Sequence, residues 1–359
     1  MRRAIWKVGY ILNVLVAIPL LLAYLSVHIS PATLWPLAFF GLAYPIFLGL
    51  NLLFVIAWLV VGKRYFLLSL IVIALGWNHL RDFWGFHLGS DKEEGIALMT
   101  YNVRNFDLYN WSNNVATRSN MVRMLTAQQP DILCLQEFYS EKEGAFENVE
   151  SLKQQLDLPH AFVHNQVQLR HGAEFGQATF SRFPIVKEGY INFDGTNNLC
   201  IYTDLVIEED TIRVFNVHLQ STYLGSEGET YVQRLLQEQD ADVATSRRVF
   251  SKLKKGYINR APQAKIIATA IRESPHPVIV CGDFNDTPVS YTYHQLSSDL
   301  QDAFRAKGWG IGATFAGQIP WLRIDHVLVD NTIDVVDYTR ISASGSDHYP
   351  VMVHWKKAN

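Results

Sequence analysis

The first ninety residues restrict this chain to few environments. Residues 5–27, 34–61 and 65–77 form apolar runs. The first two are long enough to cross a hydrocarbon core, which takes roughly 20 helical residues. The third reaches a spanning length only when extended to Leu80. Of the chain's 31 basic and 34 acidic residues, only Arg2, Arg3, Lys7, Lys63, Arg64, Arg81 and Asp82 fall within residues 1–90. A core helix of a soluble protein explains one apolar run, but not a whole region with so few charges. A cleaved signal peptide accounts for the first run alone, and no small-residue cleavage site follows it.

Loop charge gives an orientation. Arg2, Arg3 and Lys7 precede the first run, Lys63 and Arg64 separate the second from the third, and the loop at 26–33 has no Lys or Arg. Basic loops stay in the cytoplasm, so three crossings put the remainder of the chain outside it. Two crossings would leave it inside. The expectation is an integral protein of an inner or plasma membrane, with three helices in 1–84 and an extracytoplasmic body.

The body is a different kind of chain. It holds 25 basic and 33 acidic residues, a net charge of −8. A linker at 85–94, with Gly, Ser and a DKEE run, leads into a domain at 95–359. There, short apolar strands alternate with amphipathic helices. GIALMTYNV and DILCLQE read as buried strands, 118–128 and 145–156 as helices. Five strand-like runs follow, near 161–165, 176–180, 185–193, 200–207 and 212–219, and several strands without intervening helices argue for antiparallel pairing. Residues 221–275 read as mainly helical. Glu227, Glu229, Glu238, Asp240 and Asp242 come first, then a basic strip from Arg247 to Lys265. A solvated helix pair of complementary charge accounts for most of these. Cys134, Cys200 and Cys281 lie in strand patterns and read as buried thiols, because an odd count gives no disulfide framework.

Six polar clusters follow or interrupt apolar strands: YNVRNFD with Asn102, DILCLQEF with Glu137, FNVHLQS with His218, CGDFND with Asp283 and Asn285, RIDHVLVD with Asp325, and GSDHYPV with Asp347 and His348. Carboxylate and carboxamide oxygens suit a hard cation such as Mg²⁺. Histidines beside such an ion suit hydrolysis of a phosphate ester. Each cluster alone is weak, since a lone His or a strand-end Glu is usually structural. Their joint occurrence in this order is specific.

The ordered set resembles the endonuclease/exonuclease/phosphatase superfamily of metal-dependent phosphoesterases, over about residues 95–355. The resemblance implies an α/β fold: a four-layer α/β sandwich with two mostly antiparallel sheets, here preceded by transmembrane helices. It implies Glu137 as the principal Mg²⁺ ligand, with Mn²⁺ able to stand in, and Asn102 and Asp347 near the metal, directly or through water. Asp283 matches the residue that orients and deprotonates the attacking water, and Asn285 its neighbour. His348 matches a phosphate-contacting His with Asp325 as carboxylate partner. His218 matches a His on the far side of the phosphate, able to donate to an oxygen or protonate the leaving group. Arg182 occupies the family's SR-P position and reads equally as a structural residue or a substrate contact. Arg323, Gln177, Arg260 and Gln263 are candidates for the groove wall; Tyr101, Phe106 and Trp111 could line it too, although aromatic residues near strands more often belong to the core. His326 receives no role.

The substrate is less constrained. HLQS is closer to neutral sphingomyelinases and some nucleases than to apurinic-site endonucleases, and the substrate motifs of inositol 5-phosphatases are missing. A net charge of −8 argues against tight nonspecific duplex binding. The membrane tether favours a phospholipid or other envelope phosphodiester. The competing reading is an extracytoplasmic nuclease on DNA or RNA, served by the basic strip at 247–265. A reading of another class is a non-catalytic membrane receptor or scaffold, which the intact set of metal and water-orienting residues weighs against. The expected partners are the lipid bilayer and a phosphodiester substrate; no obligate protein partner is evident.

Overall fold

The structure is a computed structural model that describes residues 2–88, 95–108, 114–168, 173–221, 243–317, 319 and 321–358. The DKEE run, Trp111 and the five acidic residues at 227–242 lie outside the described residues.

The strands are β1 (Gly85–Phe86), β2 (Ile96–Asn102), β3 (Ile132–Ser140), β4 (His160–Gln168), β5 (Glu174–Ser181), β6 (Ile185–Asn192), β7 (Leu199–Ile207), β8 (Asp210–His218), β9 (Val278–Asp283), β10 (Gln301–Asp302), β11 (Trp309–Gly310), β12 (Asp325–Val329), β13 (Ile333–Arg340) and β14 (Val351–Lys357). Two six-stranded sheets form, ordered β13-β14-β2-β3-β5-β4 and β10-β12-β9-β8-β7-β6. Each has one parallel pair near its centre, β2–β3 and β8–β9. The remaining pairs are antiparallel. This is the expected mostly antiparallel pattern.

The layers follow from burial. Leu98, Ile132 and Cys134 of one sheet pack with Val214, Ile279 and Cys281 of the other. On the outer face of the first sheet, Met99 and Leu133 meet Leu125 and Leu152, from helices Asn114–Gln128 and Asn148–Leu156. On the outer face of the second, Phe215 and Val280 meet Ile267 and Leu296, from helices Val243–Arg272 and Tyr291–Ser297. Central strands buried on both faces need continuous apolar sequence, and VIVC supplies it. All three cysteines are buried and free. One polar clamp crosses the interior: Asn216 Nδ2 on β8 donates to Leu135 O at 3.2 Å and Ala178 O at 3.0 Å, and Gln136 Nε2 donates back to Asn216 Oδ1 at 2.7 Å.

The N-terminal region is helical and its surface is inverted. Of the exposed large hydrophobic side chains among the described residues, all but Val115, Val186, Tyr190, Phe250, Ile266 and Trp309 lie in residues 5–88. Its interior holds Asn13, Asn51 and Ser69, joined by Asn13 Nδ2 to Ser69 Oγ (2.6 Å) and Ser69 Oγ to Asn51 Oδ1 (2.8 Å). Apolar outside with small polar bridges inside is the pattern of helices packed in lipid.

One helix, Arg3–Ser26, is by itself long and apolar enough to cross a membrane. The other two runs are bent. Pro36–Leu42 meets Tyr44–Val60 at 61°, and Phe66–Leu75 meets Trp77–Phe83 at 69°. Pro45 has no N–H to return to Gly41 O, which ends the first of these helices. Phe66–Leu75 is 10 residues, about 15 Å at the helical rise and half a hydrocarbon core.

The two ends of this bundle differ. At one end Lys63 Nζ lies 5.5 Å from the Trp6 ring and Tyr10 packs on Tyr65 at 5.0 Å. At the other end the bundle meets the body. Asp82 Oδ1 pairs with Arg305 Nη1 at 2.7 Å, Phe39 stacks on Phe250 at 4.5 Å, and β1 pairs with β11. The predicted linker therefore begins as a strand of the folded body.

Candidate functional site

Asn102, His218 and Asp283 are the last residues of the parallel strands β2, β8 and β9, and Glu137 lies in β3 just past its parallel pairing with β2, which ends at Gln136. Register brings the pieces together. His218 pairs with Asp283, and Asp283 with Asp325 across β9 and β12. Asn102 Nδ2 then bridges the sheets, donating to Glu137 Oε1 at 3.2 Å and to Asp283 Oδ2 at 3.1 Å. Its oxygen is turned away and accepts from Arg104 N–H at 3.0 Å.

Backbone strain marks the same place. Glu137 has φ 48 inside an irregularity between Leu135 and Phe138, where β3 carries an extra residue against β5. The bulge turns the carboxylate out of the pleat toward the cleft. Asn285 has φ 53, and Arg104, Asn105, Phe106 and Asp107 all have φ between 46 and 60. Left-handed conformations cost non-glycine residues on the order of 1–2 kcal/mol each and persist where surrounding packing imposes them. Phe106, wholly buried, anchors this turn.

Asp283 is the most enclosed carboxylate of the set, at 1% exposure. Asn285 N–H donates to its Oδ1 at 2.8 Å and Asn285 Nδ2 to its Oδ2 at 2.9 Å. Burial raises its carboxyl to about 6, and the charge of Asp325 pushes the same way; His348 and His218 oppose them. Glu137 is 32% exposed. Burial raises its carboxyl too, against the Asn102 hydrogen bond and the charge of His348.

The two histidines differ. Burial would depress His348, but Asp325 and Asp283 outweigh it, and the imidazole is held well above its usual value. Its Nδ1 lies 3.1 and 3.0 Å from the Asp325 oxygens, and its Nε2 3.7 Å from Asp283 Oδ2. His218 goes the other way, because burial dominates the pull of Asp283 and the imidazole is depressed. Its Nε2 is buried without a hydrogen-bond partner, 3.8 Å from both Glu137 Oε1 and Asp283 Oδ2. One imidazole is thus pushed toward its charged form and the other toward its neutral form.

The structure therefore gathers Asn102, Glu137, His218, Asp283, Asn285, Asp325 and His348. Asp347, 27% exposed, stands 3.8 Å from Arg104 Nε and adds to the field on Glu137. Ligand atoms of Asp283, Asp325 and His348 lie within 4.8 Å of one another, a spacing that also suits a metal. Here both nitrogens of His348 face carboxylates, so an imidazolium already supplies positive charge at that point.

Arg182 does not join them. Its Nη1 pairs with Asp131 Oδ1 at 2.5 Å, at the start of β3. Neighbouring Ser181 is opposite Ile132, five residues from Glu137 and on the order of 16 Å away along the strand. The candidate substrate contact is a strand-end ion pair. The proposed wall residues are mostly interior. Arg260, 1% exposed, pairs with Asp286 at 3.2 Å, and Gln263 Oε1 accepts from Gln220 N–H. Arg323 is buried against Asp302 at 3.1 Å and over the Phe304 ring. Tyr101 and Phe106 belong to the core. Gln177 is buried, its Nε2 donating to Leu199 O at 3.0 Å. His326 supports the site from behind, its Nε2 3.0 Å from Asp286 O. Sequence carried no sign of the Arg260–Asp286 and Arg323–Asp302 pairs, whose partners are 26 and 21 residues apart.

A family model described as Endonuclease/Exonuclease/phosphatase family matches residues 99–348. A second, described as Domain of unknown function (DUF8431), matches residues 4–83. Among solved structures, an endonuclease/exonuclease/phosphatase from Beutenbergia cavernae is similar over 74% of this chain and 72% of its own, at 17% identity and TM-score 0.53. A family protein from Bacteroides thetaiotaomicron aligns over 73% and 97%, at 18% identity and TM-score 0.52. An endonuclease/exonuclease/phosphatase from Bacteroides vulgatus aligns over 74% and 100%, at 16% identity and TM-score 0.53. At such identities the likeness is one of fold. No curated protein matches the chain.

The charge on His348 can be tested directly. A raised imidazole contributes stability that is complete below its ordinary pKa and is lost as pH rises through the raised value. Asp325→Asn removes the largest favourable charge, so the His348 resonance should titrate at lower pH in an NMR titration. An unchanged midpoint would mean that Asp325 does not hold the proton there.

Proposed function

The chain belongs to the endonuclease/exonuclease/phosphatase family, and on that premise we propose that it is a membrane-anchored, divalent-metal-dependent phosphoesterase that hydrolyses a phosphodiester by attack of water. The observation that carries this reading is the Asn102 amide bridging Glu137 of one sheet and Asp283 of the other. It joins a cation-holding carboxylate to a proton-accepting one.

Glu137 is the residue to hold the cation, with Asp347 beside it; Asn102, expected near the metal, turns its oxygen to Arg104 N–H and positions Glu137 through its amide instead. The fit is chemical: the carboxylates are hard oxygen donors, and the raised Glu137 carboxyl is one that positive charge would stabilise ionised. Bound there, Mg²⁺ would supply positive charge to the phosphate oxygens. Asp283 orients water and takes its proton; Asn285 fixes both Asp283 oxygens for that task. A carboxyl near 6 is ionised at neutral pH and still basic enough to accept. His348, kept positive by Asp325, stabilises the charge that develops on the phosphoryl oxygens. His218, with Nε2 unsatisfied and facing the cleft residues, donates a hydrogen bond to a non-bridging oxygen or to the leaving-group oxygen, which takes its proton from solvent.

The anchoring reading rests on the inverted N-terminal surface. Tyr65 packs beside Tyr10 and Tyr24 Oη donates to Val72 O at 3.1 Å. The first and third segments therefore run side by side in the same direction. The body meets the bundle at the end away from Lys63. With basic residues inside, these contacts favour three crossings and an extracytoplasmic body. A C-terminal reporter active only in the cytoplasm would reverse that assignment.

A lipid headgroup is the substrate class best supported. The basic half of Val243–Arg272 lies against the bundle: Lys254 Nζ is 4.6 Å over the Trp35 ring, and exposed Phe250 stacks on Phe39. Basic and aromatic side chains side by side at a bundle end suit an interface rich in anionic headgroups.

With bis-p-nitrophenyl phosphate and Mg²⁺, Asp283→Asn should lower kcat on the order of 100- to 10,000-fold while the fold survives. Glu137→Gln should weaken dependence on Mg²⁺ concentration in a way that excess metal partly restores. Full turnover of the wild type in a chelator would remove the metal from the account. A rate retained by Asp283→Asn would move the base elsewhere.

A further inference from the structure

Two loops adjoin the reactive side chains of the second sheet, and both rest on the N-terminal bundle. The first, 284–290, follows Asp283. It is pinned on one side by the Arg260–Asp286 pair and by His326 at Asp286 O. Its far end is Val289, 1% exposed, which belongs to the apolar core of the bundle with Leu20, Val27, Tyr44 and Val72. Gly41 sits directly against this point: a Cβ there would run into Val289 O and Ser26 Oγ. Helix Pro36–Leu42 touches the loop with bare backbone because no side chain intervenes.

The second comprises the described residues 311–317 and 321–323. Ile311 and Trp321 pack on the same bundle core. Between them, Thr314 Oγ1 accepts the N–H groups of Ile324 and Asp325, each at 3.0 Å. Phe315 lies edge-on to the His348 ring at 5.7 Å, and Ala316 N–H donates to Asp347 O at 2.7 Å. Every carboxylate of the second sheet in the site is thus one short loop from the bundle.

We propose that the end of the N-terminal bundle is a structural wall of the site, with Gly41 and Val289 as positioning residues that set the Asp283–Asn285 turn. The need is physical. Asn285 is held at φ 53, a conformation that survives only when its surroundings fix it, and 284–290 has no strand ladder of its own. Four residues separate Asn285 from Val289, a reach of at most about 14 Å. The reactive turn is therefore within that distance of the bundle core. This deepens the phosphoesterase reading and rests on it for substrate: the site meets its phosphoester at the bilayer surface, which fits one carried by a membrane lipid.

The test uses the full chain in detergent micelles, with bis-p-nitrophenyl phosphate and Mg²⁺. Gly41→Val forces the bundle off Val289. Gly49→Val, where an added Cβ meets nothing within 4 Å, is the control. Displacing reactive groups by an ångström can cost on the order of 100-fold, so Gly41→Val should lose kcat on that scale with KM little changed, and Gly49→Val should not. Hydrogen exchange should rise at 284–290 and 314–317 in Gly41→Val and stay unchanged in β14. Val289→Ala should act in the same direction, more weakly, and carries the test should Gly41→Val fail to fold. Wild-type kcat and unchanged exchange in both variants would overturn the proposal. A wild type that turns over no phosphoester would count against the phosphoesterase reading instead, and the exchange pattern would still decide whether the bundle holds the loop.

Discussion

Two carboxylates paired across one antiparallel register in a buried site repel each other, and the arrangement holds only with positive charge beside them. Asp283 and Asp325 are that pair, and His348 supplies the charge, its Nδ1 at Asp325 and its Nε2 toward Asp283. Much else follows from this triplet. Thr314 and Phe315 set its back wall. The Asn102 amide donates to Asp283 Oδ2 and ties it to Glu137 across the sandwich. His218, crowded by the same burial without a carboxylate in hydrogen-bonding contact, is pushed toward its neutral form. The fold achieves this by ending one parallel strand pair from each sheet at the same edge, where side chains from four strands can converge on a volume no single strand could build.

The strand-end motifs made the sandwich and the members of this cluster legible, because apolar runs ending in Asn102, Glu137, His218 or Asp283 carry both period and chemistry. What sequence could not carry was shape within an element. Nothing in LCLQEF announces that Glu137 sits in a bulge at positive φ, yet the bulge decides where its carboxylate points. Arg182 looked like a site residue because its neighbours match a motif, and strand direction puts it at the opposite end of the sheet. Arg260 and Arg323 looked like a wall; long-range pairing with Asp286 and Asp302 makes them interior struts. The apolar runs were visible, and Pro45 carries a local cause for the first break, whereas the break at Gly76 depended on packing, since the Tyr24 ring occupies the space that a Cβ at Gly76 would need. The seat of Val289 in the bundle was invisible for the same reason: a single valine after Pro288 has no pattern to read.

The bundle changes the meaning of the body's acidic charge. A net of −8 is a poor match for a nucleic-acid duplex, but it is spread over the whole body. The basic, aromatic strip lies where the helix Val243–Arg272 meets Trp35 and Phe39. On the proposed reading, local positive charge at that edge would draw in phosphates, while the remaining acidic surface would repel long polyanions.

The most direct measurement reconstitutes the full chain in vesicles that carry headgroup-labelled phospholipids, with Mg²⁺, and offers plasmid DNA and RNA to the same preparation. The account predicts release of labelled headgroup, faster from vesicles than from the matching water-soluble ester, with little cutting of nucleic acid. Ready cleavage of DNA or RNA with every phospholipid left intact would contradict it and make the protein a nuclease held at a membrane.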